Sequence, residues 1–441
     1  MALTAGMTVL AGPAFAAPAE SATEPADVGS SFMGDSWSTG LTATAAAIES
    51  PLLPSECQEQ LGGSCYAPEH VQRAYRLDEL HRRGITGRGT TLAVVMPLGH
   101  PTVQADMNRF SEEFGLPPAD IEVIEFGDVR PADPEDPLQA QNMQETNLDL
   151  QMMHAVAPEA DLILVSTATN LSSGTAGWQD ISDAIEWLAD HRDVDAISMS
   201  YGSYEEHFPE QAGQDGNYEL VEPLREGFRA ADRAGITLLA ASGNTGQTGP
   251  NLSGTALYEE RTAAWPASDP LVTGVGATDL HLDDQGERTA PDELWSRDAA
   301  RGGASGAARS RIWPHQTSVD ITAIGGDASR FWVYSSVNVL PGQNAGWTRI
   351  AGTSAASPAM AGMVALAAQQ AGRPLGNISP DLARIWPGTH GTTDLTSGCN
   401  TLPMVPAPGH CAHWGQDVAS GIGTVRDAPA FTRALAAMNR G

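Results

Sequence analysis

Apolar and polar positions fall into a regular alternation of elements only from Thr91 onward. Short apolar runs occupy Thr91–Met96, Ala160–Ser166, Asp195–Ser200, Ile236–Ala241 and Leu271–Val275. Longer segments with apolar residues at helical spacing lie between and beside them: Val103–Phe114, Gln141–Ala155, Trp178–Ala189 and Pro223–Ala234. Strands alternating with amphipathic helices predict an α/β fold, a doubly wound and mostly parallel sheet with helices on both faces. Such sheets place their sites at the carboxyl ends of the strands. The Gly- and Ser-rich stretch Gly302–Ala308 reads as a surface loop, and no internal repeat is evident.

The chain before this pattern is of another kind. Residues 1–16 are apolar and small and end in Ala14-Phe15-Ala16, a cleavage-like string that reads as a signal peptide and implies secretion. No arginine precedes Arg73, so the basic start of such a signal is missing, and an Ala-rich unstructured end is the competing reading. Residues 17–56 are rich in Ala, Ser and Pro and read as a tail or short leader, and residues 57–441 as one folded domain. No other run of 18 apolar residues occurs, so no membrane span is expected. Cys57 lies close to Cys65, and Cys399 to Cys411. Three pairings are open, the short local loops favour Cys57–Cys65 and Cys399–Cys411, and four buried thiols are the alternative.

Composition narrows the chemistry. All 24 basic residues are arginine, against 54 acidic ones, for a formal charge of −30. The absence of lysine removes Schiff-base chemistry, Ser–Lys dyads and P-loop nucleotide sites. Strong negative charge without a basic stripe argues against nucleic acid and anionic membrane as partners.

The sharpest local signal is Gly352-Thr353-Ser354-Ala355-Ala356-Ser357-Pro358, which leads into the apolar stretch Ala359–Ala368. A serine opening a buried helix sits where backbone N–H groups and the macrodipole favour developing negative charge. An N-cap serine is the plain alternative. The whole string resembles the nucleophile motif of the subtilisin-like superfamily. A subtilisin would add an H-G-T-H base and an aspartate on the first strand. This chain has no H-G-T-H string, and its first strand reads Ala93-Val94-Val95-Met96-Pro97. What it offers is Glu145 and Asp149, one helical turn apart on one face. Two such close carboxylates do not both ionise cheaply, so one retains a proton. That makes Glu145 a candidate general base and Asp149 its orienter.

Glu145-x-x-x-Asp149, followed by Ala155-Val156-Ala157-Pro158, is similar to the sedolisin family of serine-carboxyl peptidases. Further similar stretches run from Tyr66 to Thr278, and the resemblance covers roughly Tyr66 to Ala430. It implies a secreted serine-type endopeptidase acting on protein or peptide as a monomer, with Ser354 as nucleophile, Glu145 as base and Asp149 as orienter. The family's oxyanion donor is an aspartate in an A-S-G-D string. Here Asn244 fills that place, in Ala241-Ser242-Gly243-Asn244. An amide donates at any pH, an aspartate only when protonated. The strand end Ser200-Tyr201-Gly202 resembles the edge that pairs with extended substrate. The resemblance also implies one Ca²⁺ ion, held by the side chains of Asp394 and Asp417 and by the carbonyls of Leu395, His413 and Gly415. His413 stands where the family has glycine, and an Asx-turn pair without metal is the competing reading. Asp320 reads as structural and His154 as a packed helix residue. The stretch from Ala17 to Cys57 is too short for the family's N-terminal prodomain. That shortfall and the Asn244 exchange leave a second class open: an inactive binding or scaffold protein on the same fold.

Overall fold

A computed structural model describes residues 48–169, 175, 177–296, 303–337 and 345–438. The signal peptide read at residues 1–16, and most of the tail read at 17–56, lie outside the described residues. Among the described residues the first helix begins at Pro54, inside that tail.

The strands are β1 (Thr91–Pro97), β2 (Ile121–Phe126), β3 (Asp161–Thr167), β4 (Ala196–Met199), β5 (Ser203–Tyr204), β6 (Thr237–Ala241) and β7 (Ala264–Trp265). They continue as β8 (Thr273–Asp279), β9 (Glu293–Leu294), β10 (Ile321–Ile324), β11 (Phe331–Ser335), β12 (Gly346–Ile350), β13 (Thr392–Thr393) and β14 (Thr424–Val425). One large sheet runs in the order β13-β14-β10-β8-β6-β4-β1-β3-β2, with β9 beside β8. Its seven inner pairings are parallel, and only β13 and β9 run antiparallel to their neighbours. This is the doubly wound α/β architecture that the alternation predicts. β1, β4 and β6 are apolar and buried along nearly their whole length, as strands covered on both faces must be.

The helices are α1 (Pro54–Leu61), α2 (Pro68–Tyr75), α3 (Leu77–His81), α4 (Val103–Phe114), α5 (Pro137–Val156), α6 (Trp178–His191), α7 (His207–Ala212), α8 (Glu226–Ala234), α9 (Thr353–Ala371), α10 (Ser379–Leu382) and α11 (Ala428–Met438). Two of them matter for the site. α9 is buried from Thr353 to Ala368 and packs on α5, α11 and the middle strands. Its Ala- and Gly-rich face admits close approach: a methyl group on Gly362 would lie 2.7 Å from Val156 of α5. α5 is unusual because its polar residues Gln144, Glu145, Thr146, Asn147, Asp149, Gln151 and His154 are all buried.

Both local disulfides are formed, Cys57–Cys65 and Cys399–Cys411. Asp320 is half-buried just before β10, where its Oδ2 accepts from Gly274 N–H and the Ser379 hydroxyl. His154 is packed in α5 with its Nε2 3.0 Å from the Pro117 carbonyl. Both residues have the structural roles expected of them.

One expectation is overturned. Gly303–Ala308 is buried, not a surface loop. Its small residues let the backbone thread beneath the segment after β6. Ala304 N–H bonds the Asn244 carbonyl at 3.0 Å and Gly306 N–H bonds Gly243 at 2.7 Å. A methyl group on Gly306 would stand 2.1 Å from the Ser242 carbonyl oxygen. Small size, read from sequence as flexibility, here serves close backbone packing.

Candidate active site

The predicted residues converge at the carboxyl ends of β4 and β6, where α5 and α9 meet. Ser354 is the second residue of α9, directly after Gly352, whose φ of 144° only glycine tolerates well. The first N–H groups of a helix have no partner within it, so the start of α9 is a donor-rich end. Ser354 is 1% exposed. Its hydroxyl makes one long bond, 3.4 Å to the Ser200 carbonyl, and it also contacts the Glu145 carboxyl.

Glu145 and Asp149 face this serine from α5, and both are buried. Burial disfavours their ionised forms, so each pKa is pushed well above the usual carboxylate range. The Glu145 charge raises Asp149 further, while hydrogen bonds from Ser354 to Glu145 and from Ser200 to Asp149 act the other way. Glu145 Oε1 and Asp149 Oδ2 are buried without a hydrogen-bond partner. Two unmatched acid oxygens on one helix face suit a pair that holds a proton between its members.

Ser200 was expected only as part of a substrate edge. Its side chain in fact ties the centre together, lying 2.6 Å from Asp149 Oδ1 and 3.2 Å from the Ser354 carbonyl. Tyr201 turns inward, donating its hydroxyl to the Val95 carbonyl of β1. That strand carries Met96 where a subtilisin would carry its aspartate, and Tyr201 supplies the polar contact at its end.

Asn244 is fixed in one orientation. Its Oδ1 accepts Thr353 N–H at 2.8 Å and Thr353 Oγ1 at 2.9 Å, and Thr353 Oγ1 in turn accepts Gly243 N–H at 3.1 Å. A backbone N–H only donates, so the oxygen of the amide faces Thr353 and the NH₂ group faces away from it. A methyl group on Gly352 would sit 3.2 Å from Asn244 Nδ2, which places that nitrogen beside the glycine that precedes Thr353 and Ser354. Thr353 and the buried Gly303–Ala308 strap are the parts of this candidate site that sequence reasoning missed. Thr353 lay inside the motif, adjacent to the serine, and its hydroxyl was the available signal.

The C-terminal residues proposed for calcium also come together. Asp394 Oδ2 accepts Gly415 N–H at 2.9 Å, and Asp417 Oδ2 accepts His413 N–H at 2.8 Å. Asp417 Oδ1 is taken by Ala419 N–H, Ser420 N–H and the Ser420 hydroxyl, whereas Asp394 Oδ1 is buried and unpartnered. Leu395 is buried beside them. Among the described residues no group of three or more His, Cys, Asp or Glu side chains is gathered as for a metal. Among the described residues no helix is long and apolar enough to cross a membrane.

Comparison with known proteins bears on the family and the fold. Residues 139–382 match the subtilase family, over half of the chain and a span that contains all four candidate catalytic residues. Kumamolisin of a Bacillus species is 26% identical over 356 residues, 77% of this chain and 58% of its own length. Tripeptidyl-peptidase sed4 of Aspergillus fumigatus is 26% identical over 460 residues, 89% of this chain and 70% of its own. Thus the match spans less than two thirds of the first of these relatives. In fold, the chain is similar to a Pseudomonas sedolisin, a serine-carboxyl proteinase complexed with two molecules of pseudo-iodotyrostatin. The TM-score is 0.67 at 21% identity, covering 83% of this chain and 97% of that one.

Proposed function

Because the chain belongs to the subtilase family, and within it to the sedolisin family of subtilisin-like peptidases, we propose that it is a secreted serine-carboxyl endopeptidase. The observation that carries this reading is the buried Glu145–Asp149 pair on α5, set against Ser354 at the start of α9.

Extended substrate pairs along Ser200-Tyr201-Gly202, which presents its scissile carbonyl to Ser354. The singly protonated acid pair is the working form. Glu145 takes the hydroxyl proton as Ser354 Oγ attacks, and Asp149, held by Ser200, orients Glu145 and carries the pair's other proton. The oxyanion of the tetrahedral intermediate is met by Asn244 Nδ2 and the Ser354 N–H, with the α9 dipole behind them. Glu145 then returns the proton to the departing amine, which leaves an acyl-serine. Water enters and gives a proton to Glu145 as its oxygen bonds the acyl carbon. Glu145 returns that proton to Ser354 Oγ as the acyl C–Oγ bond breaks, releasing the acid product and restoring Ser354. No residue in this scheme needs to be a histidine, and the base is a carboxylate whose burial makes it basic enough for the task.

Calcium belongs at the C-terminal loop, on this proposal. The orphaned Asp394 Oδ1 suits a hard cation. Asp417, whose two oxygens accept from His413, Ala419 and Ser420, would join it by exchanging a donor for the ion, with carbonyls of Leu395, His413 and Gly415 completing the set. The ion would brace the loop and take no part in the chemistry. Chelation is then expected to lower Tm and added Ca²⁺ to restore it; a Tm indifferent to both argues for a loop held by hydrogen bonds alone.

The peptidase reading is tested by assaying Ser354→Ala, Glu145→Ala and Asp149→Ala separately on casein and a peptide library. Loss of hydrolysis in all three is expected. Full activity in Glu145→Ala would place the base elsewhere, and an inert wild type at every pH would favour a binding or scaffold role.

A further inference from the structure

One side chain, Tyr204, stands between the segments that follow β4 and β6. It belongs to β5, directly after Ser200-Tyr201-Gly202, and pairs with Ala264 of β7. Its ring packs against Ala241, the last residue of β6, against Ala264 and against half-buried Tyr258. The hydroxyl meets Thr245 Oγ1 at 2.5 Å, one residue past Asn244. Gly249 lies flat on the ring, so close that a methyl there would be 2.3 Å from three ring carbons. The His207 ring meets it edge-on at 5.7 Å. Tyr204 is 2% exposed. A ring held on both sides and at its tip does not swing out at small cost.

On the peptidase reading, substrate laid along residues 200–202, with its scissile carbonyl at Asn244, directs one side chain toward segments 200–204 and 241–245. It is that of the residue supplying the carbonyl. Of the residues packed between these segments, Ala241 and Ala264 are too small to fill the room there by themselves. Tyr204 takes up that room. We infer that Tyr204 is the specificity-determining residue of this site, and that the enzyme cleaves after small residues such as Gly, Ala or Ser rather than after aromatic or long aliphatic ones. The inference rests on the peptidase reading above and names the substrate class of that site.

The test is a peptide series that varies only the residue before the scissile bond, scored by kcat/KM. The wild type is expected to favour Ala over Phe and Leu by at least about tenfold. Tyr204→Ala is expected to raise kcat/KM for Phe and Leu by about 10- to 100-fold, while Tyr204→Phe, which keeps the ring, retains the preference for small residues. If Tyr204→Ala does not fold, Tyr204→Val carries the same expectation with less loss of apolar contact. A wild type that cleaves after Phe as readily as after Ala, or a Tyr204→Val profile identical to the wild type, overturns the assignment while leaving the peptidase reading intact. No hydrolysis of any peptide in the series removes the peptidase reading and this inference with it.

Discussion

Replacing Glu145 with glutamine is expected to destroy activity and yet stabilise the protein as pH rises. Glu145 is buried, and burial holds its pKa well above that of an unfolded glutamate, about 4.3. Below the unfolded value both states are protonated and the group makes no difference. Between the two values the folded protein keeps the proton that the unfolded chain has lost, so stability falls as pH rises. The loss accrues at up to about 1.4 kcal/mol per pH unit. Glutamine has the same shape and no proton to lose, and it relieves Asp149 of the Glu145 charge that raises it. The Tm of Glu145→Gln should therefore match the wild type near pH 4 and pull ahead with increasing pH. Two units above the unfolded value, the gap is on the order of 2–3 kcal/mol, or a few degrees in Tm. Over the same range kcat should fall by on the order of 10²–10⁴, the usual contribution of a general base. The assay is a thermal melt of both proteins at half-unit pH steps, paired with peptide hydrolysis. A Tm gap that is constant with pH, or one favouring the wild type at high pH, would show that burial does not oppose ionisation of Glu145, and the raised basicity on which its assignment as base rests would be lost.

Two other substitutions probe the surroundings of the serine. Asn244→Asp replaces a donor that works at every pH with one that donates only when protonated, so its pH–rate profile should acquire an alkaline loss that the wild type lacks; superimposable profiles would remove Asn244 from the oxyanion role. Asn244→Ala should lower kcat by on the order of 10²–10³. Gly306→Ala forces a methyl onto the Ser242 carbonyl, and backbone there has little room to yield. It is expected to cost about 1–3 kcal/mol of stability and to lower kcat through displacement of Asn244, with KM less affected; an unchanged melt and unchanged kinetics would show that the buried strap is not needed.

The fold was legible where the chain states it locally. β1, β3, β4 and β6 are mostly apolar runs, which is what strands buried on both faces require. β2 was missed because Ile121–Phe126 is an edge strand with half-exposed and charged positions, too short for its pattern to stand out. Pro223–Ala234 was read as one helix but divides at Glu226, with Pro223 in a 3₁₀ turn before α8. At the site, the i and i+4 spacing exposed Glu145 and Asp149, whereas their depth did not follow from it. The polar residues of α5 look like a solvated face in sequence, and only packing against α4, α9 and β11 buries them. The buried Gly303–Ala308 strap, the Ser200 bridge and the Tyr204 plug share one cause: each depends on contacts between segments distant in the chain, about which local composition says nothing.

A crystal structure of the protein soaked with a peptide aldehyde addresses the central claim most directly, because an aldehyde carbon bonds only to an activated nucleophile within reach. The account predicts continuous density from Ser354 Oγ to that carbon, the hemiacetal oxygen on Asn244 Nδ2, and the Glu145 carboxyl within hydrogen-bond distance of Oγ. An aldehyde joined to any other residue, or lying unreacted in the cleft with Glu145 turned away from Ser354, would contradict it.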